Sequence, residues 1–164
     1  YYVADLQNYV KGDGTPVMQY NTSFDMEVET FSPFPLKISR DRVTEEDAEV
    51  RILKPDHPVL NYPNKITSAD FQNWVQERGL YFPNTWDPAF EAILSMNDTK
   101  DQPKDGSLLV AKYGSGHYVY TGLSFFRELP EGVPGAYKLF ANLLSLGKAS
   151  KPETSKTKSK KQTR

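Results

Sequence analysis

The sequence predicts an open α/β sheet carrying extra antiparallel strands, and three observations point to it. Residues 106–130 read as two strands around a Gly114-Ser115-Gly116 turn, followed by a loop that delivers polar side chains from a strand end. Residues 133–146 then place Ala136, Leu139, Phe140, Leu143 and Leu144 at helical spacing. At the other end, Tyr2, Val3, Leu6, Tyr9 and Val10 share that period, Gly12 and Gly14 stop it, and 15–20 reads as a short buried strand. Helix, glycine stop and apolar strand make the second half of a βαβ unit. Because Tyr1 opens the chain inside an amphipathic pattern, the sequence reads as a piece of a longer protein whose sheet begins upstream.

Between these ends the elements follow in order. Residues 21–35 are irregular and rich in Pro and Ser, 36–40 alternate like a strand, 44–47 read as a helix start or a turn, and 50–53 form another short strand ended by Pro55 and Pro58. Ser68 stands where it would cap a helix over 69–77, with Phe71, Trp74 and Val75 on its apolar face and Gly79 as its end. Tyr81 and Phe82 lead into a Pro83–Pro88 loop, 90–96 reads as a strand, and 97–106 as a polar loop. There is no internal repeat. The expected organisation is one domain over 1–148 and a tail over 149–164.

The 164 residues suffice for one domain with a sizeable core, and ten Tyr, nine Phe and two Trp supply much of its apolar surface. No run approaches the roughly 20 apolar residues of a membrane span. No signal peptide pattern is visible, which in an excised piece says nothing about where the parent goes. The absence of cysteine excludes disulfides, zinc–thiolate sites and cysteine nucleophiles. Net charge is −1, unevenly placed: Lys151, Lys156, Lys158, Lys160, Lys161 and Arg164 stand against Glu153 in the tail, so the rest is mildly acidic. The tail reads as a disordered, solubilising extension. Without interleaved aromatic residues, nucleic acid is not an expected partner.

Few constellations carry chemistry. The two histidines, His57 and His117, sit in turn-like surroundings, and a triad of Ser124, His57 and Asp87 has neither supporting spacing nor a nucleophile elbow. Asp98, Asp101 and Asp105 share a loop but lack the ligand order of a calcium loop, so a solvated acidic turn is expected. Glu77, Arg78, Tyr81 and Trp86 group charge with aromatic rings and read either as one wall of a polar site for sugar hydroxyls or as core and local salt bridges. Arg127 and Glu128, beside Ser124 and near Tyr137, stand where an open α/β sheet places its ligand. The alternative is that Arg127 pins its loop to Glu77 or Asp87 as a structural pair.

The run from Asp70 through Trp74, Glu77-Arg78-Gly79 and Pro83 to Asp87, together with Gly122-Leu-Ser-Phe-Phe-Arg-Glu-Leu-Pro130 and the residues up to Tyr137, resembles the C-terminal region of large bacterial PIG-L (LmbE-like) deacetylases. The resemblance covers residues 2–146. It implies a last domain similar to class I glutamine amidotransferases, flavodoxin-like in fold. More distantly, 109–144 resembles the end of ThuA-like domains, including an Asn in the last helix, here Asn142. The departures narrow what carries over. The deacetylase motif is absent, since Pro55-Asp-His-Pro58 has the wrong order and lacks paired carboxylates for zinc. Asn21-Thr22 stands where the amidotransferases carry their Cys, so no glutamine thioester can form.

The resemblance therefore implies a non-catalytic accessory domain that binds carbohydrate or packs on the deacetylase domain of its parent. Zinc is expected only in that absent domain, with no cofactor here, and a periplasmic or secreted parent is expected. Two other readings stay open: a small hydrolase or transferase using Glu77, Arg127 and Glu128, and a scaffold or oligomerisation domain.

Overall fold

The computed structural model describes residues 2–21 and 32–149. Thr22, most of the irregular 21–35 stretch and the tail beyond 149 lie outside the described residues. The elements are α1 (Tyr2–Lys11), β1 (Val17–Gln19), β2 (Leu36–Val43), β3 (Val50–Ile52), β4 (Gly79–Trp86), β5 (Phe90–Ala92), β6 (Leu94–Met96), β7 (Leu108–Tyr113), β8 (Gly116–Thr121), α2 (Phe125–Glu128) and α3 (Pro134–Ala149). Short 3₁₀ turns occupy Pro58–Leu60 and Ser68–Phe71.

The main sheet has the order β1-β8-β7-β5. β1 runs parallel to β8, with Val17 opposite Val119, while β7 is antiparallel to both of its neighbours. This is the expected open α/β sheet with antiparallel additions. The period-two alternation of β7 and β8 divides their side chains between two apolar layers. Leu108, Val110 and Val119 pack with Ala136, Leu139, Leu143 and Leu146 of α3. Leu109, Ala111, Tyr118 and Tyr120 face the other way and meet Leu36, Ile38 and Phe90. Two smaller antiparallel pairs, β2–β4 and β3–β6, complete the architecture.

Three sequence-based expectations need correction. The helix over 69–77 is a single 3₁₀ turn that ends at Phe71, and Thr67 rather than Ser68 precedes it as the cap residue. Beyond it, the amides a helix would use are taken by distant carboxylates: Val75 N donates to Glu128 Oε2 at 3.0 Å and Gln76 N to Glu46 Oε2 at 2.8 Å. Asn73 and Gln76 are left-handed, at φ 61° and 65°. Tertiary bonds thus override the local amphipathic pattern. The supposed 81–88 lead-in is strand β4, irregularly paired with β2 and holding Pro83 opposite Ile38 at a register break. Finally, 90–96 divides into two strands that join different sheets.

α3 begins at Pro134, a residue pre-shaped for a first helical position. Its second residue, Gly135, lies so near the 3₁₀ turn that a Cβ there would stand 1.7 Å from Asp70 O. The same turn is held by Asp70, whose carboxylate accepts from Thr67 N and pairs with Lys138 of α3. Asn142, wholly buried, donates to Val59 O and Asn64 O and accepts from Asn64 N, tying α3 to the 58–66 segment.

Candidate functional site

β8 ends at Thr121, and the residues that follow it occupy the strand-end position where a ligand crevice is expected. That crevice is filled by the chain itself. Leu80 N donates to Gly122 O, Ser124 N donates to Arg78 O, and Gly79 bridges to Leu123. Gly79 is required by this crossing, since a Cβ would meet Gly122 O at 2.3 Å.

Five of the eight candidate site residues converge here as a closed polar knot. Ser124 and Glu128 are fully buried, and Arg78 and Glu77 nearly so. Arg78 donates from Nε and Nη2 to Ala48 O (3.0 and 2.7 Å) and from Nη1 to Phe71 O. Arg127 Nε donates to Glu77 Oε1 at 2.7 Å, so the pinning alternative is the one realised. Its guanidinium also lies 5.0 Å from the centre of the Phe126 ring. Ser124 Oγ stands 2.7 Å from Glu77 O and 3.1 Å from Glu128 Oε1. A hydroxyl has one proton to give. Ser124 Oγ gives it either to Glu77 O or to Glu128 Oε1. Burial raises the Glu128 carboxyl above its ordinary range, opposed by the bonds from Val75 N and Ser124 and by the charges of the two arginines.

The other three candidates lie apart from the knot. Tyr137 is half exposed and donates its hydroxyl to Leu129 O. Trp86 packs against the second apolar layer. Tyr81 leads to a different place, a hollow of about 430 Å³ lined by Arg40, Arg42, Leu80 and Tyr81. Tyr81 has φ 55° in the middle of β4, and its ring meets that of Tyr20 edge-on at 5.7 Å. Tyr20 follows the carboxyl end of β1, has φ 46°, and packs at 4.4 Å on Phe126. Arg40, Arg42 and Tyr20 are absent from the sequence-based site. The register of β2 against β4 slips between Ile38 and Asp41 and again before Val43, so the alternation of Leu36 and Ile38 does not place the arginine pair.

A second cleft, of about 510 Å³, lies behind Arg78 and is lined by Glu46, Asp47, Glu49, Gln72 and Trp74 among others. Its guanidinium is already bonded to carbonyls, and Glu46 is engaged with Gln76 N. Asp98, read as part of an acidic turn, accepts from Thr44 N and Glu45 N, while Asp101 pairs with Lys104. His57 Nδ1 accepts from Val59 N, and burial holds this imidazole below its ordinary pKa. Among the described residues, no cluster of three or more His, Asp or Glu side chains could hold a metal, and no helix is long and apolar enough to cross a membrane.

No protein-family model and no curated protein matches the chain in sequence. In structure it is similar to the cytoplasmic protein STM3548 of Salmonella typhimurium, at TM-score 0.57 and 17% identity, over 88% of this chain. The match spans 59% of the STM3548 chain. That likeness defines the class, an open α/β fold.

Proposed function

We propose that the chain is a non-catalytic accessory domain of a PIG-L-type deacetylase, with carbohydrate binding as its contribution. The single observation that carries the non-catalytic half is the state of the strand-end carboxylates. Both oxygens of Glu128 and one of Glu77 are engaged with protein groups, in a place that backbone has filled. A general acid or base must reach the proton it moves, and the three engaged oxygens are held by Ser124, Val75 and Arg127. The carbohydrate half rests on the resemblance of 70–87 and 122–137 to PIG-L proteins, and on a hollow of ligand size beside the strand ends. An exported parent belongs to the same proposal.

Isothermal titration of the 164-residue chain with N-acetylglucosamine and its oligomers, together with an acetate-release assay, tests it. Binding without turnover is the expected result. Turnover abolished by Glu128→Gln would overturn the non-catalytic reading in favour of the hydrolase. Failure to bind any sugar would leave a scaffold.

A further inference from the structure

We infer that the chain's own basic segment, residues 151–164, adds to the outer edge of β3 as an antiparallel strand, with its lysines set against Glu46, Asp47 and Glu49.

β3 is paired on one side only. Its partner is β6, and the two make a sheet of two strands. Leu53 N donates to Ile93 O, and Arg51 stands opposite Ser95, so these odd positions spend their backbone groups on β6. Alternation turns the N–H and C=O groups of Val50 and Ile52 the other way. The partner strand agrees, since Met96, opposite Val50, exchanges both of its bonds with Lys104 instead. Among the described residues, nothing bonds the outward groups of Val50 and Ile52. Two residues earlier on the same edge, Ala48 O is already taken by Arg78. An edge of this kind is a template for another strand.

The edge opens on a groove with an acidic end. A hollow of about 400 Å³ follows it, lined by Val50, Ile52, Pro55, Lys65 and Ile66 among others. Val50 and Ser68 also line the cleft of about 510 Å³ that holds Glu46, Asp47 and Glu49, so the two hollows adjoin. All three carboxylates are exposed. Glu46 gives one oxygen to Gln76 N, Glu49 pairs with Arg51 at 3.3 Å, and no hydrogen bond engages Asp47 among the described residues. Arg78 lines the same cleft but is buried under its bonds to Ala48 O and Phe71 O.

The charge pattern selects the occupant. Beyond residue 149 the chain carries six basic residues against Glu153. Lys156, Lys158 and Lys160 alternate with Thr157 and Ser159, so a strand there presents three ammonium groups on one face. Lysine stems can cover the apolar floor of Val50 and Ile52 while their heads reach carboxylates.

The path fits too. Asn64 bonds Lys138 O and Asn142, whereas Asp70 lies against Gly135 at the start of α3. The Lys65 end of the groove therefore faces the later half of α3. α3 ends at Ala149, about 10 Å past Asn142 at roughly 1.5 Å per residue. About three to four extended residues cover that distance. Such a return brings Glu153 to Lys65, whose Nζ donates to Asn61 at 2.6 Å, and carries the lysines on to Glu49, Asp47 and Glu46. Opposite signs meet in order, and the run opposes β3.

The chain has no cysteine, so Thr163→Cys in the 164-residue protein gives a single site for a nitroxide label. The expected result is loss of amide signal at residues 46–52 of the labelled chain. No loss is expected when the label rides on a second copy mixed with it. Hydrogen exchange supplies an independent readout. Lys156→Glu, Lys158→Glu and Lys160→Glu together should speed exchange at Val50 and Ile52 by about tenfold, the worth of one backbone bond. Arg51 and Leu53, turned to β6, should not change.

Full signal at 46–52 in the labelled chain would overturn the inference. So would exchange at Val50 and Ile52 that ignores the three substitutions. Signal loss from the second copy alone would also overturn it, in favour of a strand exchanged between molecules.

Discussion

The knot around Glu128 and the hollow around Arg42 carry similar residue types and use them in opposite ways. In the knot, two arginines, two carboxylates and a serine are directed at each other and at backbone, with little solvent access except at Arg127. In the hollow, two arginines and a tyrosine border open volume. Buried charge needs partners from within the protein, so it is consumed by the fold. Exposed charge, solvated by water, is inexpensive to maintain. Polar residue type at a strand end therefore says little about ligand contact; what matters is whether another segment has already occupied the crevice.

Substitutions can break or sharpen that contrast. The largest effect is expected for Arg78→Met, which leaves Ala48 O and Phe71 O without their donor. Each stranded acceptor costs about 1–3 kcal/mol, so urea unfolding should register a loss of about 3 kcal/mol. A loss below about 1 kcal/mol would mean that water or another group replaces the guanidinium and that the knot is less closed than described.

Glu128 comes next. Glu128→Ala strands Val75 N and removes the partner of Ser124, an expected loss of about 2 kcal/mol. Glu128→Gln keeps a donor for Ser124 and an acceptor for Val75 N. The sign of the pH dependence follows from a folded-state pKa raised above the ordinary 4.5. The folded protein holds the proton more firmly than the unfolded chain. The stability linked to it is complete below 4.5 and is lost as pH rises through the folded pKa. Thermal melts should show that decline flattened in Glu128→Gln, and an unchanged profile would contradict a raised Glu128 pKa.

Smaller still is Arg127→Ala. Arg127 is partly exposed, so breaking its pair with Glu77 should cost under about 1 kcal/mol. The smallest effect belongs to the hollow, where Arg42→Ala should stay within about 0.5 kcal/mol of the parent. A larger loss there would make Arg42 part of the fold and erase the contrast.

The most legible parts of the sequence were those with local causes. The turn at Gly114 and the flanking alternation specify β7 and β8, and the apolar period after Pro134 specifies α3. The 69–77 segment misled because its amides bond Glu46 and Glu128, and that competition has no local signature. β4 was hidden by Pro83 and Asn84, residue types that argue against a strand interior. At the site, sequence spacing allowed the Glu77–Arg127 pair as one of two readings. It could not reveal that residues 77–80 lie across the end of β8, because that placement is tertiary. The arginine pair was not readable, because the buried face of Leu36 and Ile38 breaks at the register shifts before Asp41 and Val43.

Ile93, the residue at which the 90–96 strand divides, has a consequence for how the molecule opens. Its amide donates to Leu108 O at the start of β7, and its carbonyl accepts from Leu53 N just beyond β3. One buried residue thus stitches the main sheet to the β3–β6 pair. Neither can separate without breaking the other's adjoining bond. Hydrogen exchange at Leu53, Ile93 and the β7 amides should accordingly report a single cooperative opening, with the small sheet protected as long as the large one.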